Sequence, residues 1–356
     1  MENALIKEGF PPEQIQKLCE VHVSVFDATL KKYRSPKHMP GHPVNTYMEE
    51  NKYAKKLVKS ISPLFKKIVK TKEKGVELLS RQLHELKQIE LHFQRKENQL
   101  FPKLEKEEFS GPSKVMWGKH DEIRNRLKII EKALQDGDFK QVKDTGKELI
   151  SAIRNMIFME EKILFPTSLR KLKETDWIEI RKEEPEIGYA WTKPGNLWDI
   201  NIARTKQQET IKTETVPSNI TSDTVHIDEG NLTFKQINLM LKHLPVDVTF
   251  VDENDKVRYY SQGKERIFPR SPAIIGRDVQ NCHPPKSVHI VNKIVESFRK
   301  KEKDVAEFWL TMNDRFIHIR YFAVYDDAGE YKGVIEVSQD VTDIRALDGE
   351  RRLLDW

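Results

Sequence analysis

Two short segments of this sequence repeat each other at a fixed offset of 64 residues. The first runs from His92 to Pro102 and the second from Met156 to Pro166, and both end in Glu-x-x-Leu-Phe-Pro. Each closes a stretch whose apolar residues recur every three to four positions, the period of an amphipathic helix. The third and fifth predicted helices run in the same direction in an up-down bundle. We therefore expect the two segments to lie at a similar depth in a helical bundle.

The remaining helical stretches support this bundle. Short polar turns at 110–113 and 135–138 separate amphipathic stretches, and Ser62-Pro63 predicts a kink or an end in the second helix. The pattern predicts an all-α, four-helix up-down bundle over 39–172, preceded by an N-terminal helical segment over 1–38.

The second half of the chain has a different pattern. Residues 173–230 contain three tryptophans and read as a connector that packs on a domain, because exposing tryptophan to water is unfavourable. Residues 231–345 show a β-β-α-β-β-β order with short turns, which predicts an α+β domain with an antiparallel sheet. A C-terminal tail, 346–356, completes this multidomain organisation.

Four side chains in the bundle are candidates for metal binding. An α-helix turns by about 100° per residue, which places Glu97 and Glu161 each about 40° from the row of apolar side chains on its helix. His120 lies within an apolar stripe, and His92 lies on the flank of one. Buried carboxylates need a partner, and bundles hold iron or manganese with His and carboxylates from facing helices. The alternative is structural: buried histidines, with the glutamates paired to nearby Arg and Lys side chains.

The two repeated endings, with the segment from Trp117 to Arg124 (Trp-Gly-x-His-Asp-Glu-x-Arg), resemble a hemerythrin-type HHE cation-binding bundle over about 42–172. That resemblance implies two non-haem irons held by His and carboxylates. By position, His92, His120 and Glu160 correspond to ligands.

The sequence departs from that pattern at three positions. Asn51 and Met156 stand where the family has histidines, and Lys96 stands where it has a carboxylate. His42, His84 or His22 are candidate substitutes, and a remodelled, single-metal or lost site are the alternatives.

The whole chain resembles a prokaryotic family that joins a short helical domain, an HHE bundle and a PAS domain. This resemblance rests on three segments: Leu18-Cys-Glu-Val-His22, Pro40-Gly-His-Pro43 and Glu186-Ile-Gly-Tyr189.

Cys19 and His22 lie one helical turn apart, a spacing that suits metal binding, although a pair supplies only two ligands. The alternative is a buried cysteine beside a structural histidine.

The start of the last domain, Leu244 to Val257, and its ending, Gly333 to Arg345, are similar to a PAS domain. The resemblance implies a pocket between sheet and helices, a small-molecule, haem, flavin or redox signal, and a homodimer through this domain. Cys282, His283 and His289 are candidate pocket residues, as haem ligands or beside an anion at a helix start. The alternative is a structural turn.

Composition restricts the function classes. No apolar window is long enough for a membrane span, and the first residues lack a signal sequence. Two cysteines fit a reducing cytoplasm. The net charge of +5, spread over 61 basic and 56 acidic residues, argues against nucleic acid as the main partner.

The leading hypothesis is a cytoplasmic sensor or regulatory protein. Its bundle binds non-haem iron and responds to O₂, NO or redox state, and its PAS domain binds a ligand or relays the signal to a protein partner. One alternative is a non-haem diiron enzyme that acts on O₂, peroxide or NO, or repairs iron centres. The other is a metal-free interaction scaffold.

Overall fold

The computed structural model describes residues 39–109, 111–198, 224–227, 230–263 and 266–352. The predicted N-terminal helical segment, with Cys19 and His22, lies outside the described residues. The chain divides into a helical unit and an α+β unit.

The helical unit is built from long amphipathic helices around one apolar core. Its helices are α1 (Pro43–Thr71), α2 (Glu73–Leu86), α3 (Ile89–Arg95), α4 (Phe101–Lys106), α5 (Gly111–Gln135), α6 (Phe139–Met159), α7 (Phe165–Lys171) and α8 (Glu174–Ile187). Of the kink or end expected at Ser62-Pro63, the end is absent, because helix α1 continues through Pro63. Helix α8 places Trp177 of the predicted connector in the core.

Two π-helical turns interrupt this unit, at Lys96–Leu100 and Glu160–Leu164. In each, the N–H of the following phenylalanine donates to the carbonyl five residues earlier: Phe101 to Lys96 and Phe165 to Glu160. Pro102 and Pro166 come next, and proline has no N–H to continue the α-helical hydrogen bonding. The sequence repeat is thus also a repeat of backbone geometry, of a kind that is frequent at functional sites.

The α+β unit contains a five-stranded antiparallel sheet in the order β4-β3-β7-β6-β5 and a separate two-stranded ribbon, β1-β2. The strands are β1 (Thr224–Ile227), β2 (Gly230–Thr233), β3 (Asp247–Asp252), β4 (Val257–Tyr260), β5 (Val305–Met312), β6 (Arg315–Tyr325) and β7 (Tyr331–Asp340). Its helices are α9 (Phe234–His243), α10 (Val288–Arg299) and α11 (Thr342–Arg345). The predicted fold class is confirmed.

Helices α1 and α6 make a close contact that tests the packing of the bundle. A Cβ added at Gly146 would lie 2.3 Å from Cδ1 of the buried Phe65 ring. We expect Gly146→Ala to lower the free energy of unfolding of the bundle by about 1–3 kcal/mol through overpacking, despite alanine's higher helix propensity. Urea unfolding, monitored by the helical signal in circular dichroism, measures this change in the free energy of unfolding.

Ser151→Ala on the same helix is the control, because Ser151 is exposed. An unchanged or increased stability in Gly146→Ala would contradict this packing.

Candidate functional site

Buried charged side chains meet in the bundle at the level of the π-turns. Within the described chain, the group comprises Glu50, His92, Arg95, Lys96, Glu97, His120, Arg124, Glu160 and Glu184. We call it the charged cluster. Most of its members are fully buried, and Arg124 lies at its edge.

The ion pair between Lys96 and Glu160 lies in the middle of the charged cluster, and both side chains are fully buried. These two residues occupy equivalent positions of the sequence repeat, 64 residues apart. Asn51 donates a second hydrogen bond to Glu160, at 2.8 Å from Nδ2 to Oε2. Burial opposes ionisation of Glu160, but Lys96 and His92 hold its pKa well below the usual range. Glu160 is therefore a carboxylate.

His120 is held from both ring nitrogens. Its Nδ1 lies 2.7 Å from Oε1 of Glu97, and its Nε2 lies 2.9 Å from Nζ of Lys96. The ring stacks on Phe93 with centroids 4.1 Å apart. Burial, then the positive charges of Lys96 and Arg124, lower the His120 pKa well below its usual value. A neutral ring satisfies both contacts if Nδ1–H donates to Glu97 and Nε2 accepts from Lys96.

His92 bridges two carboxylates. Its Nδ1 lies 2.7 Å from Glu50 Oε2, and its Nε2 lies 3.2 Å from Glu160 Oε2. Glu50 also accepts hydrogen bonds from Arg95 and from the backbone N–H of Ala190 at 2.8 Å. This contact ties the segment after α8 to the charged cluster.

The predicted metal residues fall into two groups. His92, Glu97, His120 and Glu160 come together in the charged cluster, whereas the three others lie elsewhere in the helical unit. His42 is the N-cap of α1, accepts from the N–H of Val44 and packs against two tryptophans. Glu161 pairs with Lys55, and His84 is exposed on α2.

Sequence reasoning missed Glu50, Arg95 and Glu184 as members of the charged cluster. Glu50 could have been found, because it lies next to Asn51, one of the three departures from the family pattern. No local pattern marks Glu184, because it reaches Arg95 from outside the four-helix bundle.

The residues of the charged cluster do not fit the two-metal centre of the family pattern. Two histidines and three carboxylates supply suitable donor atoms, but Lys96 contacts both His120 and Glu160, and Arg95 contacts Glu50. Cations therefore already contact the atoms that would bind metal. In the described ranges, no group of three or more His, Cys, Asp or Glu side chains is arranged to hold a metal ion.

A second candidate site is a cavity of about 240 Å³ between α10 and the five-stranded sheet. Ten apolar side chains line it, from Val251 on β3 to Val334 on β7, together with four polar ones: His283, Ser287, Tyr321 and Glu336. Burial lowers the pKa of His283 to about 4 and raises that of Tyr321, so both are neutral near pH 7.

Of the three predicted pocket residues, His283 lines this cavity. Cys282 packs against the small core of Val251, Val257 and Ile274 instead. His289 is exposed on the first turn of α10.

Comparison with known proteins agrees with this architecture. Residues 42–168 match the hemerythrin HHE cation binding domain, 237–342 match a PAS domain, and 1–32 match a family of unknown function, DUF438. The chain joins a hemerythrin HHE domain to a PAS domain. The predicted three-part architecture is thereby confirmed. No curated protein matches the chain.

Among solved structures, a C-terminal domain from Streptococcus mutans is 35% identical, covering 36% of this chain and 98% of that one, with a TM-score of 0.35. The PAS domain of a Colwellia psychrerythraea protein is 18% identical, covering 31% and 97%, with a TM-score of 0.25. No helix among the described residues is long and apolar enough to cross a membrane.

Glu184 gives the charged cluster a testable pH dependence. Burial raises its pKa to about 7, against the attraction of Arg95 and Arg181. A carboxyl whose pKa is higher in the folded than in the unfolded state stabilises the fold at low pH, and this stabilisation is lost as pH rises toward 7. We expect the free energy of unfolding of the wild type, relative to Glu184→Gln, to fall between pH 5 and pH 8.

Urea unfolding of both proteins at the two pH values measures this difference. Glu186→Gln is the control, because Glu186 is exposed on the same helix and should give no such change. A difference that stays constant or rises with pH would contradict the assignment.

Proposed function

We propose that this protein is a sensor or regulatory protein whose PAS domain binds a small, mostly apolar molecule with one hydrogen-bond donor. The observation that carries the proposal is the cavity beneath α10. Its lining is apolar apart from a few polar groups, the usual make-up of a small-molecule site.

The polar groups define the chemistry of the ligand. Glu336 is on the wall of the cavity, and its Oε1 accepts a hydrogen bond from Ser338 at 3.3 Å. The carboxylate of Glu336 has further acceptor capacity and no donor capacity when ionised. An N–H or O–H group on an otherwise apolar ligand would complement it. Neutral His283 and the Tyr321 hydroxyl lie on the same lining.

The size of the cavity favours a small ligand over a haem. About 240 Å³ lies below the usual range of about 300–1,000 Å³ for drug-sized ligands. A porphyrin ligated by His283 would require the cavity to enlarge.

Iron binding in the bundle is the second candidate function. The match to a cation-binding domain and the convergence of His92, His120 and Glu160 favour it. Sensing of O₂, NO or redox state, and the diiron enzyme alternative, both depend on that iron. The contacts of Lys96 favour the metal-free scaffold instead.

Indole is a suitable probe for the PAS cavity, because it is apolar and has one N–H donor. We expect the full chain to bind indole more tightly than 1-methylindole, by about tenfold, because the methylated probe has no N–H to donate to the Glu336 carboxylate on the cavity wall. Calorimetric titration of both probes measures the two affinities. Absence of indole binding, or equal binding of the two probes, would refute the proposed ligand chemistry.

A cavity-filling variant tests the location of the site. Val291 lines the cavity, so Val291→Trp should abolish indole binding. Val305→Trp adds the same bulk at an exposed position of β5 that does not line the cavity, and should retain it. Loss of binding in both variants, or in neither, would place the indole elsewhere.

A further inference from the structure

Lys96 occupies an unusual position for a lysine. It begins the first π-turn, is fully buried and directs its ammonium group toward the core of the bundle. Its Nζ lies 2.9 Å from Nε2 of His120 and forms an ion pair with Glu160. A lysine is almost never this buried unless it is paired.

The surroundings of His120 are those of a metal-binding histidine. Such a histidine binds the ion through one ring nitrogen and donates the other N–H to a carboxylate, which fixes the ring. Glu97 takes the carboxylate role at Nδ1, and Arg124 fixes Glu97 in turn, at 2.9 Å and 3.0 Å from its two oxygens. At Nε2, where the ion would be, the structure has the ammonium of Lys96.

Cations already pair with the central carboxylates of the charged cluster. Each of its three central carboxylates has its own cation: Arg95 for Glu50, Arg124 for Glu97 and Lys96 for Glu160. The remaining carboxyl, Glu184, shares Arg95. A divalent ion added to this group would leave buried positive charge without a partner, which is strongly unfavourable.

We propose that the Lys96 ammonium is a built-in cation that takes the place of a metal ion between His120 and Glu160. The bundle then holds its histidines and carboxylates in order without bound metal, and the identity of residue 96 decides whether this group is a metal site. The proposal is independent of ligand binding in the PAS domain.

The wild type provides the first test. Full-length protein is incubated anaerobically with Fe(II) or Mn(II), desalted and analysed for metal, and its thermal unfolding is recorded with and without EDTA. We expect far less than about one metal ion per chain and a Tm that does not change with metal or chelator. Stoichiometric metal together with a Tm that falls in EDTA would overturn the proposal.

The variant Lys96→Glu provides the second test. It removes the internal cation and adds a carboxylate beside His120 and Glu160, which together make a donor set suited to Fe(II) or Mn(II). We expect this variant to be less stable than the wild type without metal, to retain about one metal ion per chain, and to gain Tm when metal is added. A folded Lys96→Glu protein that binds no more metal than the wild type would overturn the proposal.

Two controls separate this effect from charge and burial alone. Lys55→Glu changes the net charge equally, but Lys55 is half-exposed and pairs with Glu161 outside the charged cluster. Lys103→Met removes a second buried lysine, one that pairs with Glu179 rather than with a histidine. Metal retention in either control equal to that of Lys96→Glu would show that residue 96 is not special. If Lys96→Glu does not fold, the wild-type measurement alone decides.

Discussion

The buried ion pair between Lys96 and Glu160 is the interaction on which the order of the bundle depends. A single charge in an apolar core is strongly unfavourable, and a pair is tolerated only when further hydrogen bonds satisfy both partners. Here His120 accepts from the lysine, and Asn51 donates to the glutamate. Loss of either charge would leave the other uncompensated in the middle of the bundle. Such a pair specifies which helical faces must meet, even where an apolar pair would be more stable.

From this pair the charged cluster extends to the edge of the bundle. His92 connects Glu160 to Glu50, and Glu50 holds Arg95 and the backbone of Ala190. Arg95 also reaches Glu184 and lies over the ring of Tyr189, so the segment after the bundle is fixed by the same charges as its core. Helix α8 and the turn that follows are therefore packed on the bundle as part of the helical unit.

Much of this was predictable from the sequence. The 3.6-residue period and the repeat predicted the bundle and the shared depth of the two motifs, and the strand order predicted the antiparallel sheet. The repeat also aligns Lys96 with Glu160, whereas helical periodicity directs Glu97 and Glu161 inward. Glu97 is buried in the charged cluster, but Glu161 pairs with Lys55 outside it, and Glu160 is buried at the start of its π-turn. Contacts across long separations, such as Arg95 with Glu184, leave no local pattern to read.

The π-turns also have a consequence for motion. Each replaces the regular hydrogen bonds of a long helix by wider ones that span five residues, so each is a place where an otherwise protected helix opens most easily. The amides of Phe101 and Phe165 should therefore exchange with solvent deuterium sooner than those of the α-helical turns on either side. Both openings would occur at the same depth, against the side chains of Lys96 and Glu160. The bundle thus combines its most polar core contacts with its least regular backbone.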